Sequence, residues 1–232
     1  MERKAAIVLA AGQGKRMQAD RPKQYLLLKD RPILYYSLQA FENSDIDEIV
    51  LVAAAGEEEY CQREIVGKYN ITKVVQIVTG GKERYHSVYE GLKALGKMGF
   101  PDDGYIFIHD GARPFLTPEL ISRLLEETRI YGACVAGMPV KDTIKLADEY
   151  KTVVSTPDRE RVWQIQTPQV FSYGLIAQAY RKLLRQEEIS VTDDAMAVEQ
   201  MVGHPIHLVE ASYRNIKITT PEDLRIAETF LM

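Results

Sequence analysis

Apolar residues along this chain come in short bursts whose spacing alternates between strand and helix. Residues 5–10 (AAIVLA) form a continuous apolar run that stops at Gly12, the signature of a buried strand. Pro32 then opens ILYYSLQAF (33–41), where apolar positions recur at helical spacing. IVLVAA (49–54) predicts a second buried strand, residues 57–69 a helix, and KVVQIV (73–78) a third strand ending at Gly80-Gly81. Residues 83–95 predict a helix closed by Gly96 as its C-cap. YIFIHDGARP (105–114) reads as a fourth strand running into a loop. Thr117 is placed to cap the next helix, whose Leu120, Ile121, Leu124 and Leu125 share one face. ACVAGMPV (133–140) is a fifth strand. Strands alternating with helices predict an α/β fold: a doubly wound, mostly parallel sheet covered on both faces.

The pattern changes at 141–170, which is polar and β-branched without a helical period. It predicts a hairpin or arm that leaves the core. Helices return at 173–186 and 193–202, IHLVE (206–210) and RNIKI (214–218) look strand-like, and Thr220-Pro221-Glu222-Asp223 starts a last helix. No repeat or low-complexity linker interrupts the 232 residues, so the expectation is one domain over 1–232 with an arm at about 141–160.

Composition narrows the function. A net charge of −4 gives no global basic field for nucleic acid. The apolar runs are strand-length, so no membrane span is expected, and the N-terminal apolar stretch enters a glycine turn with no cleavage region. Cys61 and Cys134 lack metal or redox spacing and read as buried, inert thiols; a cytoplasmic location is the default expectation.

Against that background one stretch is locally basic: VLAAGQGKRMQADRPKQYL (8–26) carries Lys15, Arg16, Arg21 and Lys23 just past a strand end. Ligands of open parallel sheets bind beyond the carboxyl ends of the strands. Three glycine-bearing turns fall there, AAGQG (10–14), TGG (79–81) and HDGA (109–112). The first lacks Walker A spacing, and Met17 stands where a dinucleotide fingerprint has its third glycine. A glycine turn with local cations points to phosphate binding. Lys15 and Arg21 read as solvated charges. Asp110, after an apolar strand, suits either a Mg²⁺ ion bridging phosphates or a structural role as helix cap or partner of Arg113. His109 reads as a packed histidine, and HPIH (204–207) as structural.

LAAGQGKRM with PKQYL resembles the signature of nucleotidyltransferases that couple a nucleoside triphosphate to a phosphorylated sugar or polyol. GGKERYHSV, HDGARPF, PVKDTIK, QTPQVF, TDDA and NIKIT narrow the resemblance to the 2-C-methyl-D-erythritol 4-phosphate cytidylyltransferase family of non-mevalonate isoprenoid biosynthesis. The resemblance implies a Rossmann-like nucleotidyltransferase fold. It implies transfer of a cytidylyl group from CTP to the polyol phosphate, release of pyrophosphate, and a need for Mg²⁺ or another divalent cation. It assigns Arg16 and Lys23 to catalysis at the triphosphate. Ala10, Ala11, Gly12, Gly14, Gly81, Lys82, Ser87, Asp110 and Gly111 would bind CTP, with Asp110 near the metal. Thr143, Arg159 and Lys217 would hold the acceptor phosphate, and Thr167 and Thr192 would support the site. It also implies a homodimer in which the arm, with Thr143 and Arg159, serves the partner's site. The competing readings are a ribitol-5-phosphate cytidylyltransferase, a non-catalytic nucleotide-binding regulator and, against the Met17 evidence, a dinucleotide-dependent oxidoreductase.

Overall fold

The computed structural model describes residues 2–12, 14–17 and 21–231, with Lys15 described in its backbone only. The reading of Lys15 as a solvated charge therefore lies outside the described residues, as does Gln13 of the first glycine turn.

Strand β1 (Lys4–Ala10) leads through two short 3-10 turns, Lys15–Met17 and Lys23–Tyr25, to the small hairpin of β2 (Leu27–Leu28) and β3 (Arg31–Pro32). Helix α1 (Ile33–Glu42) and β4 (Glu48–Ala53) follow. The expected helix at 57–69 is instead a single α turn, α2 (Glu58–Tyr60), continuing into a π-helix at Cys61–Gly67. Apolar periodicity cannot separate these two windings. Next come β5 (Val74–Thr79), α3 (Arg84–Lys97), β6 (Tyr105–Asp110), α4 (Pro118–Tyr131) and β7 (Ala133–Pro139). Thr117 caps α4 as expected, its side chain accepting from the Leu120 N–H. Gly96 lies inside α3 rather than at its cap, where an added Cβ would meet the Tyr173 hydroxyl at 2.5 Å.

The excursion after β7 is shorter than the sequence pattern implied. A separate two-stranded sheet, β8 (Leu146–Ala147) with β9 (Val153–Ser155), stands outside the main sheet, and its Leu146, Val153 and Val154 are exposed. The chain then returns as β10 (Trp163–Ser172), a ten-residue strand in the middle of the sheet. Residues 163–170 therefore belong to the core and not to an arm. Helices α5 (Tyr173–Leu183) and α6 (Asp194–Val202), strand β11 (His207–Glu210) and helix α7 (Pro221–Thr229) complete the chain. RNIKI (214–218) is a loop, not a strand: Asn215 is fully buried and donates to the Gln166 side chain and the Thr167 carbonyl, so side-chain bonds replace a ladder.

The seven-stranded sheet runs β11-β7-β10-β6-β1-β4-β5, and β10 alone is antiparallel to its neighbours. Alternate residues of β1 face opposite ways, which is what a doubly wound sheet requires. Ala6 and Val8 join Leu34, Leu38 and Phe41 of α1 and Leu124 of α4. Ala5 and Ile7 join Val88 and Leu92 of α3 and Tyr180 of α5 on the other side. A third, smaller cluster of Met17, Leu28, Ile33, Ile218 and Ala227 ties the first glycine turn to the C-terminal loop. Met17 replaces a glycine because it is an anchor. Both cysteines are buried, and no described helix is long and apolar enough to cross a membrane.

Candidate active site

The carboxyl ends of β1, β5 and β6 place the three glycine turns side by side. Gly80 touches the first turn so closely that a Cβ would lie 2.5 Å from the Ala11 Cβ and 2.7 Å from the Ser87 hydroxyl. Only glycine fits there. The Gly81 N–H donates to Ser87 Oγ at 3.1 Å, which fixes the hydroxyl at the start of α3. Ala10, Ala11, Gly81 and Ser87 are thus held together as a pocket edge, with Lys82 exposed beside them and Gly12 exposed across from it. Gly14 adopts a left-handed φ of +62° and packs against the Lys23 backbone and Cβ, so it sets the approach of that residue.

Lys23 is buried, and its ammonium donates to the Ile218 carbonyl at 3.0 Å. Burial pushes its pKa down to about 8; neighbouring Lys217 and Arg16 add to the depression and Asp110 opposes it. Lys23 and Arg16 from the first turn therefore share an electrostatic environment with Lys217, about two hundred residues away along the chain. Arg16 itself is exposed at the mouth.

Asp110, at the end of β6, is the hub. Lys217 Nζ lies 2.7 Å from its Oδ2, and Arg84 Nε donates to its Oδ1 at 3.3 Å. Burial alone would raise its pKa, but Arg84 and Lys217 outweigh that and hold the carboxyl well below the usual carboxylate range. Its direct ion pairs are with those two residues rather than with Arg113. Arg113 instead donates to the Asn215 carbonyl at 2.7 Å, while its buried Nε has no protein partner. Gly111 packs tightly beneath, its N–H donating to the Leu9 carbonyl.

A relay fixes Thr167. The Asp110 N–H donates to Thr167 Oγ1 at 3.0 Å, so the hydroxyl proton is free to point at His109 Nδ1, 3.1 Å away. The other ring nitrogen then donates to the Arg113 carbonyl at 3.2 Å. This assignment requires a neutral imidazole, and burial lowers the His109 pKa to about 4. His109 is packed, with Phe41 edge-on at 5.5 Å, and it also orients a site hydroxyl.

Arg84, Asp110, Arg113, Thr167, Thr192 and Lys217 line a cleft of about 250 Å³, to which Lys23 is coupled electrostatically through Lys217 and Asp110. Thr192 is placed here as expected. Thr143 and Arg159, which the resemblance assigns to a partner's site, lie outside this cleft: both are exposed on the excursion, where Arg159 donates to the Lys141 carbonyl at 3.2 Å. Four further residues of the site were not singled out in the sequence: Arg84, Gln166, Gln169 and Asp194. Arg84 grips Asp194 with two bonds of 2.9 and 2.7 Å while touching Asp110. The only sequence signal for it was its place inside the GGKERYHSV motif.

Comparison with known proteins agrees over the full length. The family profile described as 2-C-methyl-D-erythritol 4-phosphate cytidylyltransferase matches residues 4–232. The enzyme of that name from Lachnoclostridium phytofermentans is 47% identical over 100% of this chain and 97% of its own. That from Lachnospira eligens is 50% identical over 97% and 98%. The crystal structure of 4-diphosphocytidyl-2C-methyl-D-erythritol synthase from Anaerococcus prevotii superposes with a TM-score of 0.85 at 35% identity, covering 99% of this chain and 96% of that one. The chain belongs to the 2-C-methyl-D-erythritol 4-phosphate cytidylyltransferase family.

Proposed function

We propose that the cleft joins CTP to 2-C-methyl-D-erythritol 4-phosphate by electrostatic positioning, with Lys23 as the central cation and Arg16 beside it. The family gives the reaction: this is a cytidylyltransferase of isoprenoid biosynthesis. A phosphate oxygen of the acceptor attacks the α-phosphorus of CTP, the α–β bridging bond breaks, and pyrophosphate leaves. The nucleophile is already largely dianionic near neutral pH, its second pKa being about 6. No activated serine or general base is then required, and the task is to bring two anions together. The carrying observation is that Lys23, Lys217, Arg84 and Arg113 converge around a single carboxylate, Asp110, at the strand ends.

Ala10, Ala11, Gly12 and Gly14 would line the triphosphate side. Gly81, Lys82 and Ser87 would read the base, and Asp110 with Gly111 would face the ribose. A divalent cation, Mg²⁺ by family expectation, would neutralise phosphate charge. The described residues contain no cluster of three metal-ligating side chains. Asp110 would be the carboxylate that helps hold such an ion, sharing its charge with Arg84 and Lys217.

The acceptor distinguishes this reading from its nearest rival. Pyrophosphate release should be at least about tenfold more efficient, in kcat/KM, with 2-C-methyl-D-erythritol 4-phosphate than with ribitol 5-phosphate. Preference for ribitol 5-phosphate, or release with neither acceptor, would overturn the assignment.

Lys217 would hold the acceptor phosphate, while Thr143 and Arg159 would do so in a neighbouring subunit through the arm. The exposed Leu146, Val153 and Val154 support this, because each stays more than half exposed within its own chain. Inactive Lys23→Ala chains mixed with inactive Arg159→Ala chains should then regain about a quarter of parental activity. Half of randomly exchanged dimers are mixed, and each has one intact site. If differently tagged chains exchange and activity stays at the level of the separate variants, Arg159 acts within its own chain.

A further inference from the structure

A second cleft, of about 380 Å³, lies outside the site described above, between the β2–β3 hairpin and the π-helix. Its walls carry three tyrosines, Tyr25, Tyr60 and Tyr69, and three cations, Arg21, Arg63 and Lys68, against one carboxylate, Glu64. Leu27 and Pro32, paired across the hairpin, add an apolar floor, and Leu27 is 56% exposed. Arg63 is already engaged by Glu64 at 2.8 Å and Glu59 at 3.8 Å. Arg21 and Lys68 have no ion-pair partner among the described residues. Lys68 lies over the Tyr69 ring at 5.7 Å, and aromatic walls with two cations outside ion pairs among the described residues suit a ligand that has a planar ring and a phosphate. The ring stacks or meets the tyrosines edge-on, and the phosphate neutralises the cations.

A separate observation concerns where this cleft leads. Its far wall is a seven-residue π-helix, a winding that is rare and concentrated at functional sites. Cys61 at the start of that helix lies 3.1 Å from the Tyr25 hydroxyl, which also donates to Glu57 at 2.8 Å. Tyr25 closes the same 3-10 turn that begins with Lys23. Gln24, between them, donates to the Ala10 carbonyl at the end of β1. The turn thus places Lys23 in the electrostatic reach of Lys217 and Asp110 and Tyr25 on the wall of the second cleft.

We propose that this second cleft is a regulatory site for a small ring-bearing phosphate of the nucleoside monophosphate type, which acts on turnover through the Lys23–Tyr25 turn. Occupation fixes Arg21 and Tyr25, and the position of the Lys23 ammonium follows.

Adenosine 5′-monophosphate is a suitable probe, since it carries a planar ring and a single phosphate and is distinct from CTP. It is titrated calorimetrically into the full chain holding saturating CTP, so that the first cleft is occupied. One equivalent per chain should bind. Lys68→Glu, at an exposed position, should weaken binding at least about tenfold, and Tyr69→Ala should do so where its melting curve matches the parent. Lys217→Ala should leave it unchanged. Inorganic phosphate alone and adenosine alone should each bind more weakly than the monophosphate. The monophosphate should also alter kcat for the parent and not for Lys68→Glu, whose basal turnover should equal the parent's. No binding in the presence of CTP overturns the proposal, and so does equal affinity in parent and Lys68→Glu. Pyrophosphate release by the parent without the probe is measured alongside, so failure here is separable from failure of the cytidylyl-transfer reading.

Discussion

Lys23→Ala should lower kcat/KM for cytidylyl transfer by about 10²–10³-fold while leaving the protein folded, which is the usual loss on removing one preorganised donor to transition-state charge. Arg16→Ala should follow in direction, and its exposed position keeps the kinetic effect separate from a folding defect. The pH profile separates Lys23 from a structural residue. In the free protein its pKa is about 8, because burial and Lys217 disfavour the charged form. The cation is therefore present below about pH 8 and lost above it. For CTP, kcat/KM reports the free protein, so it should fall as pH rises through about 8. Bound triphosphate favours the charged form, so kcat should fall at a higher pH. Lys23→Arg, which keeps its charge, should flatten the alkaline limb whatever its absolute rate. An alkaline limb unchanged in Lys23→Arg, or near-parental turnover in folded Lys23→Ala, would remove Lys23 from the chemistry.

Much of this site was legible in the sequence because its anion-binding parts are local. A strand end, a glycine turn and cations within a few residues of each other form a short-range pattern. Gly14, Arg16 and Lys23 could be found from it. Asp110 stood out from its strand end, and the family motifs then extended the reading to Ser87 and Lys217.

What periodicity missed has a common physical cause: polar residues buried because they hold other residues in place. In β10, Gln166, Thr167 and Gln169 are all nearly inaccessible, so the segment looked like a polar arm. Yet the Gln169 side chain accepts from the Asp194 and Ala195 N–H groups and donates to Asp193, which docks the start of α6 on the sheet. RNIKI erred in the opposite sense. Its alternation mimicked a strand, while Asn215 was buried for its hydrogen bonds. Gln169 keeps the rule that buried polar groups are paired, while Asn215 pairs its amide nitrogen and leaves its buried Oδ1 without a protein partner; in both, the partners come only with tertiary structure.

Arg84 is the largest such case, and its removal should produce the largest stability loss. Its guanidinium bridges Asp110 of the cleft and Asp194 at the start of α6, residues 110 positions apart from Arg84 in the second case. The two ends differ in exposure. Asp194 is fully buried, whereas the Arg84 side chain is 29% exposed. Arg84→Met would leave the Asp194 carboxylate in the interior with the Tyr180 hydroxyl as its remaining side-chain donor. Stranding a buried charge in this way costs about 3–5 kcal/mol. Asp194→Leu should cost less, because Arg84 reaches solvent and keeps Asp110. The double variant Arg84→Met/Asp194→Leu should be more stable than Arg84→Met alone, since no buried charge is left unpaired. Denaturant titrations of the three variants test this order. Turnover should not follow stability: the double variant still lacks one of the two cations that hold Asp110, so its kcat/KM should stay depressed even where its midpoint recovers. A double variant that regains both would reduce Arg84 to a structural strut. One that regains stability alone assigns Arg84 to holding Asp110 in place for the phosphates.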